Sequence, residues 1–107
     1  MLEKTNYINN LLDIYEGLLN QKQNSVLNMY YAEDFSLSEI AENMGMTKQA
    51  ASDLIKRSEK KLENFEEALK LSELEASRAR FIHNLMKKYE GHSELISDLE
   101  KLLEING

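Results

Sequence analysis

The chain contains no cysteine, no proline and no tryptophan, and only four of its 107 residues are glycine. Without cysteine there can be no disulfide, no thiolate metal site and no cysteine nucleophile. The lack of disulfides fits a reducing compartment. Without proline, and with few glycines and valines among abundant Leu, Glu, Lys and Asn, the expected class is all-α. No stretch approaches the roughly 20 apolar residues of a membrane span. The first ten residues, MLEKTNYINN, hold no apolar run of signal-peptide length. The expectation is a soluble, cytoplasmic protein with no membrane partner.

What is present is enough apolar material for one core. Hydrophobic residues make up 42% of the sequence, more than a disordered chain carries. The length suits one domain over residues 1–107. The formal net charge of −6 argues against a general nucleic-acid coat protein, but the charge is unevenly spread. Residues 1–46 carry two basic and seven acidic side chains, and residues 63–107 carry six and ten. Between them, residues 47–62 carry five basic side chains (Lys48, Lys56, Arg57, Lys60 and Lys61) against two acidic ones.

Helical periodicity divides the chain. Ile8, Leu11, Leu12, Tyr15, Leu18 and Leu19 define an amphipathic helix over 5–19. Asn20 with Gln23 forms a capping-box pattern that opens a helix over 21–32, where Val26, Leu27, Met29, Tyr30 and Tyr31 are apolar. Tyr30 and Tyr31 could stack on bases, although their spacing beside Leu27 favours a core role. Ser36 with Glu39 is a second capping box, opening a short helix over 37–44. Gly45 stands where a turn needs a positive φ. Thr47 is placed to cap a long helix reaching about Leu71, with Leu54, Leu62, Phe65 and Leu69 spaced for a shared inward face. Ser72 with Glu75 suggests a third capping box before a helix over 73–90, Gly91 a stop, and Ser93 the cap of a last helix.

Residues 36–62 therefore read as helix, tight turn, helix. Counting Leu37 as the first position, Ile40, Ala41, Met44, Gly45, Met46, Ala51 and Leu54 fall at positions 4, 5, 8, 9, 10, 15 and 18. Ile40, Met44, Met46, Ala51 and Leu54 are expected to hold the two helices together, with Ala41 small where the second helix crosses and Gly45 making the turn. This is the helix-turn-helix arrangement, whose second helix commonly lies in the major groove of DNA. The same tri-helical core also serves protein–protein modules.

The candidate nucleic-acid-binding residues follow from the polar slots. Thr47, Lys48, Gln49 and Ser52 lie at the start of the second helix, where Gln49 and Ser52 could bond base edges and Lys48 a base or phosphate. Lys56, Arg57 and Lys60 suit phosphates, which give affinity without sequence information. Asp53 opposes phosphate binding and is expected to pair with Lys56 or Arg57 one turn on. His83 and His92 show no metal-ligand spacing, and the acidic residues form no isolated pair for catalysis. No cofactor, metal or enzymatic activity is expected.

The stretch from Leu18 to Leu62 resembles region 4 of bacterial sigma factors. The resemblance rests on Leu19-Asn20-Gln21-Lys22-Gln23, Val26-Leu27-Asn28-Met29-Tyr30-Tyr31, Glu33-Asp34-Phe35-Ser36-Leu37-Ser38-Glu39-Ile40-Ala41 and Lys56-Arg57-Ser58-Glu59-Lys60-Lys61-Leu62. The turn after Leu19 departs from sigma factors in lacking proline. Over nearly its whole span the chain is more similar to the YlxM-like (UPF0122) family of small bacterial helix-turn-helix proteins. Asn10-Leu11-Leu12-Asp13-Ile14-Tyr15, Leu18 to Gln23, Tyr30-Tyr31, Asp34 to Glu42 and Lys48 to Arg57 carry that likeness. Together with the helix reading, it gives the expected architecture: a single all-α domain, with a sigma region 4-like helix-turn-helix core over 1–71 and a C-terminal helical hairpin over 72–107. It also implies a regulatory or accessory role in the signal recognition particle pathway. Expected partners are DNA or RNA through the helix from Thr47, components of that particle, and a second copy of the chain through the leucine-rich tail. The competing expectation is a protein-interaction module that does not bind DNA.

Overall fold

In the computed structural model, which describes residues 2–105, six α-helices follow one another with no strand among the described residues. They are α1 (Leu2–Tyr15), α2 (Gln21–Leu27), α3 (Leu37–Met44), α4 (Lys48–Leu69), α5 (Leu71–Lys88) and α6 (Ser93–Glu104). Met1, Asn106 and Gly107 lie outside the described residues. The chain divides into two compact units, one running to Ser72 and one from Glu73.

In the first unit, α4 packs on α1, α2 and α3. Ile8, Leu11, Leu12 and Tyr15 of α1 recur at helical spacing and are buried. They join Val26, Leu27, Ile40, Ala41, Ala51, Ile55 and Leu62 in one core. The first helix is shorter than its periodicity suggests. It gives way at Glu16–Leu18 to a single 3₁₀ turn, whose tighter winding frees Leu19 to adopt extended backbone.

Local signals set the next boundaries. Asn20 accepts from the Gln23 N–H at 2.8 Å, and the Gln23 side chain accepts from the Asn20 N–H at 3.0 Å. Ser36 and Glu39 repeat this reciprocal pattern at 3.1 and 2.9 Å. Gly45 takes φ 66° and ψ 41°, the left-handed conformation that a Cβ makes costly. The Thr47 hydroxyl oxygen accepts from the Ala50 N–H at 3.0 Å.

Four further boundaries differ from the sequence expectation. The helix expected over 21–32 changes pitch, and Asn28–Ala32 form a π-helical turn closed by the Glu33 N–H on the Asn28 carbonyl at 2.9 Å. The wider turn is held by tertiary contacts. Asn9 donates to the Tyr31 carbonyl at 3.1 Å, and the Tyr31 hydroxyl donates to Glu59. The long helix stops at Leu69, and Lys70 adopts φ 54°.

The Ser72–Glu75 capping box does not open α5, which starts at Leu71 with Ser72 already inside it. Its first amides are satisfied from elsewhere. The Leu71 N–H donates to the Tyr15 hydroxyl at 3.2 Å and the Ser72 N–H to Glu66 Oε1 at 3.1 Å. Tyr15 in turn donates to Glu66 Oε1 at 2.7 Å, and the Ser72 hydroxyl accepts from Asn10 at 2.6 Å. Ser93, expected as a cap, is the first residue of α6, and the preceding His92 makes no side-chain cap.

The second unit holds most of α5 and all of α6, joined through Gly91 at φ 97°. Ile82 and Leu99 are its buried hydrophobics, while Leu74, Phe81, Leu102 and Ile105 are exposed.

Candidate nucleic-acid interface

The long helix α4 spans 22 residues, about 33 Å at 1.5 Å per residue. Its two sides are set by alternating steps of four and three. Ala51, Ile55, Ser58 and Leu62 form the inward ridge and are all buried. Gln49, Asp53, Lys56 and Lys60, each two residues earlier, form the opposite ridge and are all exposed. The offset of two residues, about 200° around the helix, separates core from solvent.

Leu54 packs against the core as expected but is only half-buried, and its neighbour Ile55, not expected there, is the buried residue. Leu69, expected on the inward face, is exposed. Ser58 is a polar residue the apolar pattern does not reveal. It is fully buried and its hydroxyl donates to the Leu54 carbonyl at 2.7 Å, so no polar group is left unpaired.

The structure brings the expected interface residues onto one element. Lys48, Gln49, Lys56, Arg57 and Lys60 are exposed on α4, and Ser52 is half-buried beside them. Thr47 precedes them as the cap, so its oxygen is committed to the helix while its O–H remains able to donate outward. Lys61, the fifth cation of the block, turns instead toward α2, where it donates to Gln23 at 3.5 Å.

Asp53 differs from expectation. Its carboxylate accepts from the Gln49 amide at 3.1 Å, and Arg57 donates to the Asp53 main-chain carbonyl at 3.4 Å. Gln49 thereby occupies the carboxylate that a phosphate would meet. Arg57 keeps its terminal guanidinium nitrogens for other acceptors.

Beneath this face lies a cluster that sequence reasoning missed. Glu59 accepts from the Tyr31 hydroxyl through one oxygen and faces Lys4 Nζ at 3.5 Å through the other. Burial, then the bond to Glu59, holds the Tyr31 hydroxyl well above the usual tyrosine range. The available signal was positional. Glu59 is four residues after Ile55 and three before Leu62, at the edge of the inward ridge, where a carboxylate needs a partner. At the start of α3, hydrogen bonds from the Ser36 backbone and hydroxyl hold the Glu39 carboxyl below its ordinary value.

Among the described residues, no group of three or more His, Cys, Asp or Glu is placed to hold a metal, and no helix is long and apolar enough to cross a membrane. The capped short helix, left-handed glycine turn and long second helix define an all-α helix-turn-helix protein. Residues 2–102 match the model of the UPF0122 family, described as "Putative helix-turn-helix protein, YlxM / p13 like". A UPF0122 protein of Lactococcus lactis subsp. cremoris (strain MG1363) is 44% identical over 105 residues, covering 98% of this chain and 95% of that one. One from Bacillus licheniformis is 45% identical over 104 residues, covering 94% and 97%. One from Streptococcus thermophilus is 40% identical over 105 residues, covering 98% and 96%. The chain belongs to the UPF0122 family.

Proposed function

We propose that this protein is a non-enzymatic, cytoplasmic nucleic-acid-binding regulatory or accessory protein. The observation that carries the reading is the placement of Lys56, Arg57 and Lys60, all exposed on the solvent side of α4, the helix whose opposite ridge is buried in the core. Thr47, Lys48, Gln49 and Ser52 enter a groove at the start of α4, and the three cations clamp phosphates. The resemblance to YlxM-like proteins supports a role for this activity in the signal recognition particle pathway. The exposed Leu74, Phe81, Leu102 and Ile105 support a homodimer, which a two-fold site on DNA would match.

Fluorescence anisotropy with a 20-base-pair duplex, titrated from low to physiological salt, tests the reading. Engagement of four or five phosphates predicts a log–log salt slope of about −4. Lys56→Glu combined with Arg57→Glu is expected to abolish binding. A flat titration at low salt, with the double variant functioning as well as wild type in cells, overturns it.

A second reading is favoured by the charges around the cations. Asp53 precedes them on the exposed ridge, and the exposed Glu63 and Glu67 follow on the same helix. Such a mixed surface suits a protein partner, with the fold serving as an interaction module. Binding that is insensitive to duplex DNA but lost on charge reversal at Lys56 and Arg57 would select this reading.

A further inference from the structure

We infer that the first unit carries a pocket for a single unstacked nucleobase beside the recognition helix, with Tyr30 as its aromatic wall. The inference rests on the proposed nucleic-acid reading and extends it from grooves to single strands. A cavity of about 150 Å³ opens between the start of α1, the π-helical turn and α4, lined by Lys4, Tyr30, Ser52, Ile55, Lys56 and Glu59 among others. Its volume is of the order of one base. Ile55 is buried and supplies an apolar floor, while Tyr30 remains partly exposed at its edge. The Tyr30 and Tyr31 rings stand nearly perpendicular, at 85° with centroids 4.9 Å apart, so the pair forms a corner rather than a flat wall.

The polar groups around that corner are those base recognition uses. Glu59 is an acceptor whose carboxylate is fixed by Tyr31 and Lys4 yet keeps lone pairs for an amino or ring N–H. The Ser52 hydroxyl can donate or accept, and the Lys4 and Lys56 ammonium groups can reach base carbonyls or the flanking phosphates. With one carboxylate between two ammonium groups, the rim keeps a net positive charge. The π turn is an independent pointer. Such turns are rare and recur at functional sites, and this one sets the direction of both tyrosines. Sequence-tolerant stacking of a base on an aromatic ring is the usual means of holding single strands.

Such a pocket cannot be filled from an intact duplex, because a stacked and paired base presents neither its face nor its Watson–Crick edge. The ligand class is therefore single-stranded or looped nucleic acid. DNA and RNA share this chemistry, and parallel oligonucleotides of one sequence separate them.

The test measures wild type, Tyr30→Ala and Tyr30→Phe against a 12-nucleotide single strand, as DNA and as RNA, and against a 20-base-pair duplex. Tyr30→Ala is expected to weaken single-strand binding about tenfold and to leave duplex binding within twofold. Tyr30→Phe, which keeps the ring, retains wild-type affinity for both. Guanosine and cytidine 5′-monophosphates titrated into labelled protein should shift the amide resonances of Tyr30, Ser52 and Glu59. The pocket is overturned if Tyr30→Ala binds single strands as wild type does, or if it weakens single strand and duplex alike. It is equally overturned if the mononucleotides move none of those resonances. Failure of the pocket alone leaves duplex binding that Lys56→Glu with Arg57→Glu abolishes; failure of the wider reading leaves no duplex binding to abolish.

Discussion

The two units are built from helices of similar amphipathic character, yet they use their apolar residues in opposite ways. In the unit ending at Ser72, leucines and isoleucines from four helices converge, and Ile8, Leu11, Leu27, Ile40 and Leu62 are fully buried. In the unit from Glu73, Ile82 and Leu99 are buried while Phe81 is 65% exposed and Leu74 61%. A helix with an apolar stripe needs something to bury it against. Three neighbours around α4 meet that need in the first unit. Periodicity reports that a stripe exists; the number of elements available to cover it decides whether it becomes core.

The sharpest way to break this contrast is to truncate one large side chain in each unit. Leu62→Ala should destabilise the protein by about 2–5 kcal/mol, because it opens a cavity in a core that cannot collapse around it. Phe81→Ala in the monomer should change stability by no more than about 0.5 kcal/mol. Urea denaturation followed by circular dichroism measures both, and comparable losses would remove the distinction.

A smaller effect is expected where α5 leaves the first unit. Tyr15→Phe deletes the hydroxyl that accepts from the Leu71 N–H and donates to Glu66. It should cost about 1–2 kcal/mol and speed hydrogen exchange at Leu71 and Ser72 while sparing the amides of α3. Uniform exchange across both helices would show that the boundary is not held by this hydroxyl.

The smallest effect lies in the acid range. The Glu39 carboxyl is held below its ordinary value by the bonds from Ser36. A depressed folded value means that the associated stability is present above the ordinary value of 4.5 and lost as pH falls through the lower folded value. Glu39→Gln should therefore flatten the pH dependence of thermal stability below about pH 4.5 and leave neutral stability little changed. A wild-type profile unchanged in that window by the substitution would assign the acid sensitivity elsewhere.

The comparison also shows which parts of the fold were legible. The caps at Asn20, Ser36 and Thr47 and the turn at Gly45 could be read because each is encoded within three or four residues. The exposed ridge of α4 was legible for the same reason, and the inward one at Ala51 and Leu62, but Ile55 and Ser58 were not read as buried and Leu69, read as inward, is exposed. What escaped reading joins distant positions. Tyr31 reaches Glu59 across 28 residues, and Tyr15 reaches Glu66 across 51. At Ser72 a well-formed local capping signal lost to other partners: Glu66 accepts from the Ser72 N–H that Glu75 would have served, and the Ser72 hydroxyl accepts from Asn10. The candidate interface was legible as a set of residue types on one helix. The Gln49–Asp53 bond and the corner made by Tyr30 and Tyr31 required the fold.

The borrowed cap of α5 has a consequence for synthesis. Tyr15 and Glu66 both precede Leu71 in the chain, so they leave the ribosome before the amides they receive. Once α1 and α4 have met, the acceptors stand assembled, and α5 begins on a template completed ahead of it. The acceptors at this joint are translated before the amides they serve, so the first turn of α5 need not nucleate unaided.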